Sequence, residues 1–423
     1  MKPYAKAGLY YQEWSSERMM HTVSIEDLRD APLQSLANLH MQPPALDIIR
    51  AILANMWASP DSHALLRKVD RSIYVLWAVL CGLMAAFIFW WLSQTTPMAY
   101  AIVATLFFVA HPACIFYATF LDATFLTTVL ILWTYYLLWT IRQNPQKSMV
   151  AFTAAVLALF FTRSLFQWPS ILVFALSLLL LRVPYKRVFI FLIICGGLTG
   201  LYLAKQYYKF GTLSTFGWRG LNLCRAIDAS EYYDMGYYWR YIEGIKNTEE
   251  QERSLPSVLV RRHKLTGAPN FNHVSYLRLN QDIMNYCKER FRITPLKQLL
   301  ISYLHNGWIY FKPSSQYITR HVIVDRIPWR DFYDRIFSFP VLPSLILFAG
   351  LTSLARAKRR DFITGFALAL PGLYIFLASV LGEKGENMRL KFFLEPVLFI
   401  FIASQIYITS RQISQKLLTK QST

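Results

Sequence analysis

Charge is what this sequence is short of. Only 16% of its 423 residues are Asp, Glu, Lys or Arg, against roughly 25% in soluble domains. That argues against an ordinary soluble globular protein. There is no CxxC and no His/Cys cluster, so the common metal-binding spacings are absent. Zinc-finger, helix-turn-helix and RNP patterns are missing too, so a net charge of +19 does not by itself point to nucleic acid. The chain has no Walker loop, no GxSxG, and no Asp-x-Asp of the kind nucleotide-sugar enzymes use to hold a metal. No internal repeat or low-complexity tract is visible. Cysteine is sparse, with five in all. Cys81, Cys114 and Cys195 lie in apolar segments as packing residues. Cys224 and Cys287 lie in a long polar loop and can pair if that loop faces an oxidising compartment, although sequence separation leaves the pairing open.

What is abundant is apolar: 55% of residues are hydrophobic and 16% aromatic. Nine apolar segments occupy residues 73–93, 99–119, 123–141, 149–162, 168–181, 188–204, 337–355, 363–381 and 392–408. A hydrocarbon core about 30 Å thick takes about 20 apolar residues per helix. The segments 149–162 and 168–181 are shorter, and tilt or snorkelling ends would let them fit. The pattern predicts an all-α fold, a polytopic transmembrane helix bundle of about nine spans with amphipathic interfacial helices. It divides into a polar segment 1–70, a six-span block 71–206, a large outer loop 207–334 and a three-span block 335–423 with a tail.

Lys and Arg are distributed unevenly between the short loops. One side holds Arg142, Lys147, Arg182, Lys186, Arg187, Arg356, Lys358, Arg359, Arg360, Arg411, Lys416 and Lys420; the other holds Arg163, Lys384, Arg389 and Lys391. The positive-inside rule then puts the carboxy terminus in the cytoplasm and both large polar pieces outside. Arg67, Lys68 and Arg71 argue locally the other way, and an additional span upstream of Met1 would resolve the conflict.

The polar pieces are patterned. Ser24-Ile-Glu-Asp27 fits a capping box that opens a short helix. In 45–57, Leu46, Ile49, Ile52, Leu53, Met56 and Trp57 follow helical spacing, with Asp47 and Arg50 off the stripe. This reads as an amphipathic helix lying in the membrane interface. The loop carries a dense aromatic run at 232–241, read as an interfacial belt or as stacking surfaces for sugar rings, and helical stretches at 274–291 and 296–311.

Ionisable groups at span ends are functional candidates because they are costly there. Asp122 sits between two apolar segments, Arg163 follows another, and His111-Pro112 breaks the second span. Gly382-Glu-Lys-Gly-Glu386-Asn-Met-Arg389-Leu-Lys391, followed by Glu395-Pro396, joins the last two. All of these fall on the same side of the bundle.

This layout resembles the GT-C class of polytopic glycosyltransferases, in particular the protein O-mannosyltransferases and lipid A aminoarabinose transferases. The residues behind the resemblance are Leu39-His-Met-Gln-Pro-Pro44, Leu121-Asp122, Phe161-Thr-Arg163, and the late Glu386-Asn-Met-Arg389 with Glu395-Pro396. The Trp-Trp-Asp motif of oligosaccharyltransferases is absent, which argues against that branch. The resemblance implies an inverting hexosyl- or pentosyltransferase of a bacterial inner membrane. A polyprenyl-phosphate sugar would be its co-substrate, a divalent metal an option, and a glycan, lipid or protein the acceptor, with membrane lipids but no nucleic acid as partners. Such a transfer needs a base for the acceptor proton and cations for the departing phosphate. The resemblance nominates Glu13 as base, with Glu17 as the alternative, and Asp122 to orient base or acceptor. Arg163, Arg389 and Lys391 would grip the lipid phosphate. His40 and Glu386 would contact substrate. Two rival readings are an O-antigen ligase or polymerase, using Arg261, Arg262, His263 and Arg278, and a transporter or flippase. Near-absence of mid-span charge lowers the second.

Overall fold

The computed structural model describes residue 16 and residues 23–215, 217–227, 254–260, 270, 272–317, 326–357, 359–385 and 387–421. Among these residues there is helix and no strand. Three short helices come first: α1 (Ile25–Asp30), α2 (Pro32–Ala37) and α3 (Ala45–Trp57). The first apolar block follows with α4 (Ser62–Ser93), α5 (Met98–Val109), α6 (Pro112–Thr119), α7 (Thr124–Gln143), α8 (Pro145–Thr162), α9 (Trp168–Leu180) and α10 (Tyr185–Phe210). Between the blocks lie α11 (Arg219–Ala226), α12 (Ser257–Val260), α13 (Ser275–Ile293), α14 (Leu296–Tyr310) and α15 (Arg330–Ile336). The chain ends with α16 (Val341–Arg356), α17 (Arg359–Gly382), α18 (Asn387–Phe392) and α19 (Glu395–Gln421).

The chain is therefore a multi-pass membrane protein, but its described residues hold fewer full spans than nine. Among the described residues, five helices are long and apolar enough to cross a bilayer, or seven if each of two bent pairs counts as one span. One pair is α5 and α6, bent by 55° at His111-Pro112, and the other is α15 and α16, bent by 45°. Proline explains the first break, since Pro112 has no N–H to give and pushes His111 to an extended ψ of 127°. The remaining two segments are short helices, Ser148–Thr162 and Trp168–Leu180. The 13 residues of α9 rise about 20 Å, less than a hydrocarbon core.

α7 is the central helix. Its apolar window is 61% buried, against 17–28% for the four other long spans. Two aromatic cores flank it. One gathers Trp77, Phe108, Phe116, Phe125 and Phe392, and the other Phe152, Phe166, Phe174, Phe191 and Phe393. The adjacent Phe392 and Phe393 thus point into different cores and wedge the α18–α19 junction between them.

The described parts of the two polar pieces pack together as one cap. Val23, Leu28, Leu39 and Ala51 share a core with Val258, Leu259 and Val260, while Met41 packs with Trp218, Leu221, Tyr276 and Ile283. The end of α10 holds the cap down. Lys205 and Gln206 donate to the carbonyls of Ala37 and Leu39, and Lys209 donates to Asn38. These carbonyls close α2, where cations suit the negative end of the helix. Cys224 and Cys287 form a disulfide with Cα atoms 5.1 Å apart, linking α11 to α13.

Two local expectations change. Ser24 precedes α1, but its hydroxyl makes no capping bond and is buried without a partner among the described residues. α3 forms, yet Asp47 and Arg50 are its innermost side chains, both 0% exposed and paired at 2.8 Å. Arg50 also donates to the Val23 carbonyl at 2.6 Å and to Ser16 Oγ at 2.9 Å, while Asp47 accepts from Gln42 at 3.0 Å. These partners offset the cost of burying the charges. Ser16 in turn donates its backbone N–H to Asp70 of α4. The outer face of α3 is apolar, with Ile48, Ile52, Met56 and Trp57 exposed, as suits a helix bordering lipid.

Candidate functional site

Asp122, Arg163 and Arg389, which come from three distant stretches of chain, meet at the polar end of α7. Asp122 lies two residues before that helix. Its Oδ1 accepts the Thr124 backbone N–H at 2.7 Å, and its Oδ2 accepts the Thr124 hydroxyl at 2.8 Å. This is an Asx-type turn that satisfies an otherwise orphaned helix N–H and puts a carboxylate at the positive end of the helix. Arg163 follows α8 and brings Nη1 to 3.7 Å from Asp122 Oδ2. Arg389 of α18 brings its own Nη1 to 3.3 Å of the same oxygen.

Aromatic rings back both guanidinium groups. Arg389 lies 4.6 Å from the Tyr317 ring centroid, and Arg163 lies 5.8 Å from that of Phe393. The three charged side chains are 11–16% exposed, so they are neither sealed in the bundle nor free on the surface. Together they hold two positive charges and one negative. Such an arrangement can attract an anion, and planar guanidinium groups suit phosphate.

Lys391 does not join them. It is 0% exposed and paired with Glu395 at 3.1 Å, and it also donates to the Phe337 carbonyl. Ser314 donates to the same Glu395 carboxylate at 2.6 Å. The other Glu395 oxygen lies 3.9 Å from His111 Nδ1. Lys391 thus serves a buried structural pair, which corrects its expected role as a phosphate ligand.

His40 is also displaced from the expected role. It is buried between the two halves of the cap, with Nε2 2.8 Å from the Asn272 carbonyl and its own backbone N–H donating to Asn272 Oδ1 at 2.8 Å. Burial pushes its pKa down from 6.5 to about 3. The folded cap therefore keeps a neutral imidazole where the unfolded chain, titrating near 6.5, takes up a proton. The resulting stability is complete above pH 6.5 and falls as pH drops toward 3, by about 1.4 kcal/mol per pH unit for this one group. His40→Gln removes that share. Thermal unfolding at pH 7 and pH 5 should show a smaller loss in the variant than in the wild type.

Glu13, Glu17 and Glu386 lie outside the described residues, as do the aromatic run 232–241 and Arg261, Arg262 and His263. Arg278 lies on α13 within the cap. Among the described residues, no three or more His, Cys, Asp or Glu side chains gather as metal ligands would. Thr124 and Tyr317 are the residues that sequence reasoning missed. A Thr two places after Asp122 was a readable turn signal, whereas nothing in the sequence marks Tyr317.

No family model, curated protein or solved structure matches this chain.

Proposed function

We propose that this protein is a membrane glycosyltransferase that takes a sugar from a polyprenyl-phosphate carrier and transfers it on the face bearing the cap. The convergence of Asp122, Arg163 and Arg389 at the polar end of the central helix carries this reading. In such a transfer the bond from the sugar to the carrier phosphate breaks, and negative charge grows on that phosphate. Two guanidinium groups near the membrane surface favour that charge, because their attraction strengthens where water is partly excluded. Asp122, already accepting from Thr124 and facing both arginines, acts as the anchor that aims them. The acceptor's proton goes to a separate base, for which Glu13 and Glu17 remain the candidates.

The Cys224–Cys287 disulfide supports placing the cap outside the cytoplasm, since such bonds persist in oxidising compartments. The carboxy terminus is then cytoplasmic, in agreement with the uneven spread of Lys and Arg. A bacterial inner membrane fits a polyprenyl-phosphate donor. A second reading, as a transporter, draws on the broken α5–α6 span and the buried Lys391–Glu395 pair, features that transporters place in their bundles.

Binding by the purified protein in lipid nanodiscs tests the lipid-phosphate site that the first reading requires. Saturable binding of a polyprenyl phosphate, with the matching neutral polyprenol at least about tenfold weaker, is the expected result. Equal binding of phosphate and alcohol would remove the lipid-phosphate reading.

A further inference from the structure

A chain of contacts runs from the disulfide in the cap to Arg389. α11 lies close against α13, since a Cβ at Gly220 would stand 2.7 Å from the Met284 backbone nitrogen. The Cys224–Cys287 bond fixes these two helices covalently. The next residue, Arg225, reaches out of the cap, and its Nη1 lies 3.1 Å from Glu383 Oε1 at the end of α17. Its guanidinium also lies against Gly385. There φ is +98°, and a Cβ would come within 2.7 Å of Nη2. Only glycine suits both the backbone angle and the close approach.

The same connection is tied at two further points. Asn306 donates to the carbonyls of Ala226 and Val380, both at 3.0 Å, bridging the ends of α11 and α17. Asn387 accepts from the Gly385 N–H at 2.9 Å and donates to the carbonyls of Ser379 and Glu383 at 2.7 and 2.9 Å. Two residues later Arg389 meets Asp122.

We propose that Arg225 is a positioning residue: held by the disulfide, it clamps the 383–387 connection and so sets the place of Arg389 in the anion site. The consequence for ligand binding rests on the lipid-phosphate reading, but the mechanical link does not. α11 presents Arg225 to the connection, and Glu383 with Gly385 receives it as charge and as shape.

The test uses the full chain in nanodiscs with two readouts: amide hydrogen exchange of residues 383–389, and binding of a polyprenyl phosphate. In Arg225→Ala, exchange across 383–389 is expected to rise about tenfold and phosphate affinity to fall about tenfold, with exchange in α10 unchanged. Arg225→Lys should restore part of both, because charge on Glu383 returns without the planar contact on Gly385. Adding Cys224→Ser and Cys287→Ser to Arg225→Ala should change little more, since groups acting through one contact are not additive. Unchanged exchange in Arg225→Ala overturns the proposal. So does raised exchange with unchanged phosphate affinity in a protein whose Arg389→Ala variant has lost binding. If the wild type binds no phosphate, the site reading fails while exchange still decides whether Arg225 holds the connection.

Discussion

Replacing Arg389 by alanine is expected to weaken polyprenyl-phosphate binding by about 10- to 100-fold and to cut sugar transfer by about two to three orders of magnitude. The guanidinium stands at the polar end of the most buried span, 3.3 Å from Asp122 and over the Tyr317 ring. Its removal takes away a cation without emptying a core, because the side chain is 14% exposed. Folding should therefore survive, and affinity for a neutral polyprenol should stay the same. Arg389→Lys should recover only part of the loss, since an ammonium keeps the charge but neither the planar fork nor the stacking on Tyr317. Arg163→Ala should act in the same direction and less strongly, its contact to Asp122 being longer at 3.7 Å. Binding isotherms for the variants with phosphate and alcohol ligands check this. Wild-type phosphate affinity in Arg389→Ala would take Arg389 out of the site.

Lys391→Met is expected to behave in the opposite way, costing stability on the order of 3–5 kcal/mol and leaving phosphate affinity intact in whatever folds. Lys391 and Glu395 are both 0% exposed. Removing the ammonium leaves a carboxylate in the bundle with no cation paired to it among the described residues, the Ser314 hydroxyl at 2.6 Å and His111 at 3.9 Å being its remaining polar neighbours there. Glu395→Gln alone should be costly for the mirror reason. The double substitution Lys391→Met with Glu395→Gln should recover most of the loss, because desolvation of two ions is no longer required. Chemical or thermal unfolding in detergent gives the order of the four proteins. Equal losses in the single and double variants would show that the pair is not what holds this region.

Much of the architecture was readable from hydropathy, which depends only on the run of apolar side chains. The helical stretches in the loop were readable in the same way, and α13 and α14 fall almost where periodicity placed them. Asp122, Arg163 and Arg389 stood out because each interrupts or bounds an apolar run. That Arg389 reaches Asp122, 267 positions away, was not readable, because it follows from how α17 and α19 pack beside α7. Lys391 was misread by adjacency. Two residues apart on a helix means about 200° of rotation, so α18 sends Arg389 toward Asp122 and Lys391 inward. The four-residue step from Lys391 to Glu395 was the better clue. Asp47 and Arg50 lie off the apolar stripe, which says nothing of an inward turn. That turn depends on the Val23 carbonyl and the Ser16 hydroxyl, partners that no helical wheel contains.

The discontinuous cap also sets an order of events during synthesis. Met41 is buried by Trp218 and Tyr276, and His40 is held by Asn272. At the usual 5–20 residues per second, roughly 10–50 s pass between the emergence of Met41 and that of residue 287. During that interval the first segment has left the ribosome without the surface it will pack on, while several spans are inserted between the two halves. The early half must therefore wait on the membrane, and the outward Ile48, Ile52, Met56 and Trp57 of α3 give it a place to rest on lipid until its partner is made.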